Sequence, residues 1–225
     1  MKKNIIITGA GRGIGKATAV LAASRGIQVY AISRNIENLK GIENIHAFSV
    51  DLADQNAITS FCNQLSTKNI SFDVLINNAG KLENIPFKNS AVEVFESVYK
   101  VNVFGLAELT RQLLPQIDTK GHVVNISSMG GIQGSSKFPG LAAYSSSKAA
   151  VITLTELLAE EYAAQGIAFN VLALGAVNTE MLQEAFPGYE APISAKEMAN
   201  YIYNFALTGN KYHNGKIIQV SSTTP

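Results

Sequence analysis

The chain has little cysteine, histidine or charge, and no tryptophan, in its 225 residues. Its one cysteine, Cys62, has no second thiol to pair with, which excludes an internal disulfide framework. His46, His122 and His213 are far apart and lack neighbouring ligands at metal-site spacing, so a zinc centre is excluded as well. Charged residues make up 16% of the chain, where an average domain has roughly 25%. Eighteen Lys and Arg against seventeen Asp and Glu leave a formal charge of +1, with no run of one sign. Neither a phosphate-tracking surface nor an acidic tail is present, and nucleic acid is not an expected partner. No apolar run approaches the roughly 20 residues of a bilayer span. The N-terminal run Ile5-Ile6-Ile7 is too short for the apolar region of a secretory signal. No membrane partner and a cytoplasmic location are therefore expected.

What is present is hydrophobic surface, 47% of positions, in a length that suits one large domain covering residues 1–225. Short β-branched runs alternate with longer segments of helical period, the pattern of repeated βαβ units whose parallel sheet is covered on both faces. Seven strands are expected, at Asn4–Thr8, Gln28–Ser33, His46–Asp51, Val74–Asn77, His122–Ser127, Ala168–Leu174 and Lys216–Val220. Helices are expected over Gly13–Arg25, Asn56–Lys68, Val92–Ile117, Ser145–Gln165 and Ala195–Ala206. The stretch from Gly130 to Ala143 follows a strand and precedes a helix, where open α/β sheets place their ligand crevice.

The first strand runs directly into Thr8-Gly9-Ala10-Gly11-Arg12-Gly13-Ile14-Gly15, within which a helix begins. Such a turn lets main-chain N–H groups approach a pyrophosphate at a helix N-terminus, although glycines can also simply tighten a strand-to-helix connection. The spacing fits neither Gly-x-Gly-x-x-Gly nor the Walker pattern, since Ala10 and Ala17 occupy obligatory Walker positions. ATP chemistry is thereby disfavoured. At the end of the second strand, Ile32-Ser33-Arg34 offers no carboxylate for the ribose hydroxyls of NAD. Arg34 together with Arg12 suits a 2′-phosphate, so NADP(H) is the expected cofactor; the alternative reading of each arginine is a solvated surface residue.

Thr8-Gly9-x-x-x-Gly13-x-Gly15, Asn77-Asn78-Ala79-Gly80, Asn102, Ser127-Ser128 and Tyr144-x-x-x-Lys148 occur in this order. Together they resemble the short-chain dehydrogenase/reductase family, along nearly the whole chain. The resemblance implies a single-domain, Rossmann-like, doubly wound parallel sheet and an NADP(H)-dependent interconversion of a carbonyl compound and an alcohol. Tyr144 and Lys148 lie four apart on an expected helix, so they share a face. A neighbouring ammonium favours the phenolate, which lets Tyr144 act as general acid or base while the cofactor handles hydride. Lys148 would also hold the nicotinamide ribose. Ser128 is expected to hydrogen-bond the substrate oxygen, with Ser127 on the opposite side; a one-residue slip would exchange them. Asn102 matches the asparagine whose helix distortion keeps a water next to the lysine. Asp51 and Leu52 match an adenine-contacting pair, though Asp51 could instead cap the following helix. Asn78, Ala79 and Gly80 match a turn beside the adenosine ribose, or a turn that only stabilises the sheet. With Gly9, Arg12, Gly13, Ile14, Gly15, Ser33 and Arg34 they complete the expected dinucleotide site.

After the sixth strand the resemblance calls for Pro-Gly, but the chain reads Leu174-Gly175-Ala176-Val177-Asn178-Thr179. Val177 and Thr179 remain the expected carboxamide contacts. The tail Val220–Pro225 lacks the paired glycines that the resemblance would supply. Ser145-x-x-Lys148 satisfies a serine acyl-enzyme pattern, yet its companion motifs are missing, so hydrolysis is disfavoured. A dinucleotide-sensing or scaffold protein of the same fold stays open as the alternative. Few residues separate Thr179 from the helix near Ser194, which implies an open pocket lined by Met129, Phe138, Leu182, Phe186 and Tyr189 and suited to a small hydrophobic carbonyl compound. The helices Val92–Ile117 and Ser145–Gln165 resemble those that form four-helix dimer contacts in that family, which with the low charge content implies a homodimer or homotetramer.

Overall fold

Asn4–Thr8 (β1) carries three consecutive isoleucines, and all three are buried. That is the requirement for a strand covered on both faces. Ile5 and Ile7 join the apolar cluster on one side of the sheet and Ile6 joins the cluster on the other. The computed structural model describes residues 3–221, so the tail beyond Ser221 lies outside the described residues. Six further strands share this sheet: Gln28–Ser33 (β2), Ile45–Ser49 (β3), Phe72–Asn77 (β4), Ile117–Ser128 (β5), Ala168–Leu174 (β6) and Lys216–Val220 (β9). All pairings are parallel, in the order β3-β2-β1-β4-β5-β6-β9. The order reverses between β1 and β4, and the crevice above such a switch point is where open α/β sheets bind ligands.

Helix Gly13–Ser24 (α1) packs with Ala195–Thr208 (α7) on one face. Its buried side is Gly15, Thr18, Ala19, Ala22 and Ala23, small enough for the helix to lie close to the strands. The other face is covered by Gln55–Thr67 (α2), Leu106–Leu113 (α4) and Ala142–Glu161 (α5), with Val92–Tyr99 (α3) packed against α5. Each fully buried Ile, Leu or Phe in these two layers stabilises the fold by about 1.5–3 kcal/mol.

The doubly wound seven-stranded sheet expected from the sequence is present, with several boundaries moved. The single helix expected over Val92–Ile117 is instead α3, a π-helical turn at Lys100–Gly105, α4 and a 3-10 turn at Leu114–Gln116. Pro115 in that last turn stops the α-helix, because it has no N–H to donate. β5 starts at Ile117 rather than His122, with a register irregularity between Phe72 and Val74 opposite it. β3 ends at Ser49, two residues before Asp51. α5 begins at Ala142, three residues before the expected start, and ends at Glu161, where Ala163–Gln165 and a left-handed Gly166 turn the chain away. Leu174, in the place of the expected proline, is buried as the last residue of β6 and pairs with both Ser128 and Val220. Beyond it, Val177–Asn178 (β7) and Ile193–Ser194 (β8) form a small parallel pair. Between them lies the short helix Glu180–Ala185 (α6).

Candidate active site

Asn102, Ser128, Tyr144 and Lys148 meet where the ends of β4 and β5 face the start of α5. Tyr144 and Lys148 lie one turn apart on α5, and the Lys148 Nζ is 5.8 Å from the centre of the Tyr144 ring. Two hydrogen bonds lock this helix to β5. Lys148 Nζ donates to the Ile126 carbonyl at 2.8 Å, and Ser127 Oγ donates to the Lys148 carbonyl at 2.8 Å. Ser127 is therefore committed to the scaffold. Ser128, one residue on, lies close enough to the Tyr144 hydroxyl to act on its acidity and accepts from the Gly130 N–H at 3.2 Å.

Burial dominates the electrostatics. The crowded surroundings of the Tyr144 hydroxyl push its pKa up to about 12, against which the Ser128 hydroxyl acts. Desolvation takes Lys148 down to about 8. Both shifts act against the charged form, so the phenol is a weaker acid and the ammonium a stronger one than either is in water.

Asn102 sits in the π-helical turn and is buried. Its side chain is bonded outside its own helix. Oδ1 accepts from the Lys81 N–H at 2.7 Å, and Nδ2 donates to the Lys81 carbonyl and to Ser147 Oγ, each at 2.9 Å. Ser147 Oγ in turn donates to the Tyr144 carbonyl at 2.7 Å. A β-carbon placed on Gly80 would lie 3.5 Å from Lys148 Nζ and 3.6 Å from Asn102 Oδ1, so the Asn78–Gly80 turn borders this cluster. Lys81 and Ser147 were not identified from the sequence. Ser147 carries a signal, three residues after Tyr144 on one helix face; Lys81 contributes only backbone, which no motif reports.

The glycine turn lies on the same rim. Gly13 has φ of +55°, and a β-carbon on Gly15 would stand 2.2 Å from the Gly9 carbonyl oxygen. Neither position tolerates a side chain. The first turn of α1 has no side-chain cap and no acidic residue, so its N–H groups are available to an anion. Ile14, partly buried, packs its side chain against the core. These features fit the pyrophosphate of a dinucleotide. Thr8 Oγ1 accepts from the N–H groups of Asn78 and Ala79 at 3.0 and 2.9 Å, and Asn78 Nδ2 donates to the Thr8 carbonyl at 3.0 Å. These bonds tie the two turns together.

The remaining expected positions divide. Ser33 is close to Gly11, since a β-carbon there would meet Ser33 Oγ at 2.5 Å, and Arg34 beside it is exposed. Asp51 is exposed and accepts from the Ala53 N–H at 2.9 Å. It is not the cap of α2; that is Asp54, which accepts from Asn56 and Ala57. Leu52 is buried, with its carbonyl facing Gly105. Val177 is buried in β7, and Thr179 borders Gly13 but accepts from the Leu182 N–H as the cap of α6. Arg12 turns away from the glycine turn to pair with Glu184 of α6. Of the expected pocket lining, Met129 is buried, whereas Phe138 and Tyr189 are exposed on the rim.

The chain is similar to a 3-oxoacyl-[acyl-carrier-protein] reductase, FabG, of Thermotoga maritima, at 32% identity over 81% of this chain and 77% of that one. Its structure resembles 4-hydroxyisoleucine dehydrogenase complexed with NADH, with TM-score 0.88 and 27% identity, covering 98% of this chain and 97% of the other. It also resembles ElxO with NADP bound, with TM-score 0.84 and 30% identity over 98% and 97% of the two chains. A family profile described as short chain dehydrogenase matches residues 3–190. The chain belongs to the short-chain dehydrogenase/reductase family of oxidoreductases.

Proposed function

We propose that the protein is an NADP(H)-dependent reductase that interconverts a small, largely apolar carbonyl compound and its alcohol. The observation that carries the reading is the Tyr144–Lys148 pair on one face of α5, with Lys148 buried and locked to β5 and Ser128 beside the phenol. The bound cofactor supplies hydride and, when oxidised, a positive ring beside the phenol. The chain's own residues do the rest. Ser128 and Tyr144 present their hydroxyls to the substrate oxygen, and Tyr144 Oη gives its proton to that oxygen as charge develops on it. Lys148 offsets the charge left on the phenolate. Asn102 and Ser147 hold the Lys81 backbone and the first turn of α5 in register, so that the two acids stay aligned.

The choice of NADP(H) rests on this chain's own positively charged groups. Similar proteins carry either NADH or NADP, and here Arg34 is exposed beside Ser33 with no carboxylate at the end of β2. The short segment around α6 supports an open pocket, and the apolar rim supports a hydrophobic substrate. Exposed Phe104 and Leu157, on the outward side of the α3–α4 and α5 segments, support self-association through those helices.

The test follows the absorbance of NADPH with a panel of ketones, aldehydes and diketones, with wild type and Y144F in parallel. Consumption by the wild type that is lost in Y144F supports the reading. Binding of NADPH with no consumption of any carbonyl compound replaces it with the sensor alternative.

A further inference from the structure

Arg12 stands in the glycine turn, yet its guanidinium is engaged by the segment on the other side of the crevice. Nη1 and Nη2 donate to Oε1 and Oε2 of Glu184, the second at 2.9 Å. This parallel two-bond arrangement is the strong form of an arginine–carboxylate contact. Glu180, one turn earlier on α6, adds further negative charge near the guanidinium. The pairing holds the Glu184 carboxyl below the usual carboxylate range and raises Arg12. Arg34, by contrast, makes no ion pair among the described residues. Of the two arginines the sequence offers to a 2′-phosphate, one makes no ion pair among the described residues and the other is already paired with a carboxylate.

We infer that Glu184 is a cofactor-selectivity residue, which competes with the 2′-phosphate of NADP(H) for Arg12 and so holds down the preference for NADP(H) over NAD(H). The inference rests on the dinucleotide reading above. A ribose without the phosphate makes no demand on Arg12, and the ion pair to α6 survives its binding. A 2′-phosphate must displace the carboxylate from the guanidinium or share the guanidinium with it, which places two like charges together. The direction follows from that competition. The size is modest, because the two side chains are 48% and 59% exposed and the surrounding water screens them.

The test measures NADP+ and NAD+ affinities by calorimetry, without substrate, for wild type, E184Q, R12Q and the double variant. The affinity ratio of NADP+ to NAD+ is expected to rise about threefold or more in E184Q, and to be unmoved by E184Q when Arg12 is already replaced. An unchanged ratio in E184Q, or the same gain in the R12Q background, overturns the inference. A wild-type chain that binds NAD+ the tighter overturns the NADP(H) reading alone, because the E184Q ratio still decides the role of Glu184. A chain that binds neither nucleotide overturns both.

Discussion

A phenol held near 12 and an ammonium held near 8 are one helical turn apart in this protein, and both values come from burial. Removing the phenolic oxygen leaves the ring packing intact, so Y144F should lose about two to four orders of magnitude in turnover with NADPH affinity unchanged. Steady-state rates and a nucleotide titration check the two halves. Lys148 carries its charge against its surroundings. At pH 7 that costs about 3 kcal/mol, while the bond to Ile126 returns about 1 kcal/mol. K148M should therefore abolish turnover yet raise unfolding stability by about 1–2 kcal/mol at pH 7. The lysine's folded pKa is depressed, so its contribution is whole above 10.5 and is lost as pH falls through about 8. The advantage of K148M should accordingly vanish in urea titrations above pH 10. At this scale the sequence was informative wherever partners are local. Tyr144 and Lys148 are read from helical spacing, whereas Thr179, expected at the carboxamide, is used as the cap of α6. The pairing of Arg12 with Glu184 spans 172 residues and leaves no local trace.

The π-helical turn at Lys100–Gly105 falls at Asn102, where the family resemblance implies a helix distortion that hydrophobic period does not report. Apolar period alone reads residues 92–117 as one helix. Asn102 bonds the Lys81 backbone instead of its own helix, and a β-carbon on Gly105 would be 2.1 Å from the Leu52 carbonyl oxygen. Both facts depend on neighbours distant in sequence, and together they account for the widened turn. A second such case lies at the far end of the sheet. His122 of β5 is fully buried, its Nδ1 bonded to the Ala206 carbonyl of α7 and its Nε2 to Asn170 Nδ2 of β6. With Nε2 obliged to accept, the ring stays neutral, and burial takes its pKa down to about 4. A depressed histidine contributes stability that is whole above pH 6.5 and lost as pH falls through 4. Between those limits the wild type should lose about 3 kcal/mol more stability than H122Q, as measured by chemical denaturation at stepped pH.

For the molecule as a whole, burial on both faces of every inner strand made a parallel, doubly covered sheet legible from composition and period. The order of its strands is set by pairings among segments far apart, and only the family motifs pointed to it. The same outward-facing Phe104 and Leu157 that leave this chain with exposed apolar surface predict a stable homodimer or homotetramer, which light scattering at micromolar concentration checks; a monomer would remove the proposal. The flap that carries α6 is short, and both of its roots are stitched to each other where Val177 pairs with Ile193 and Asn178 with Ser194. That pairing ties the two ends of the segment together and leaves only the residues between them without strand partners in it. Settling over a guest orders only a handful of residues, and little conformational entropy is surrendered when it does so.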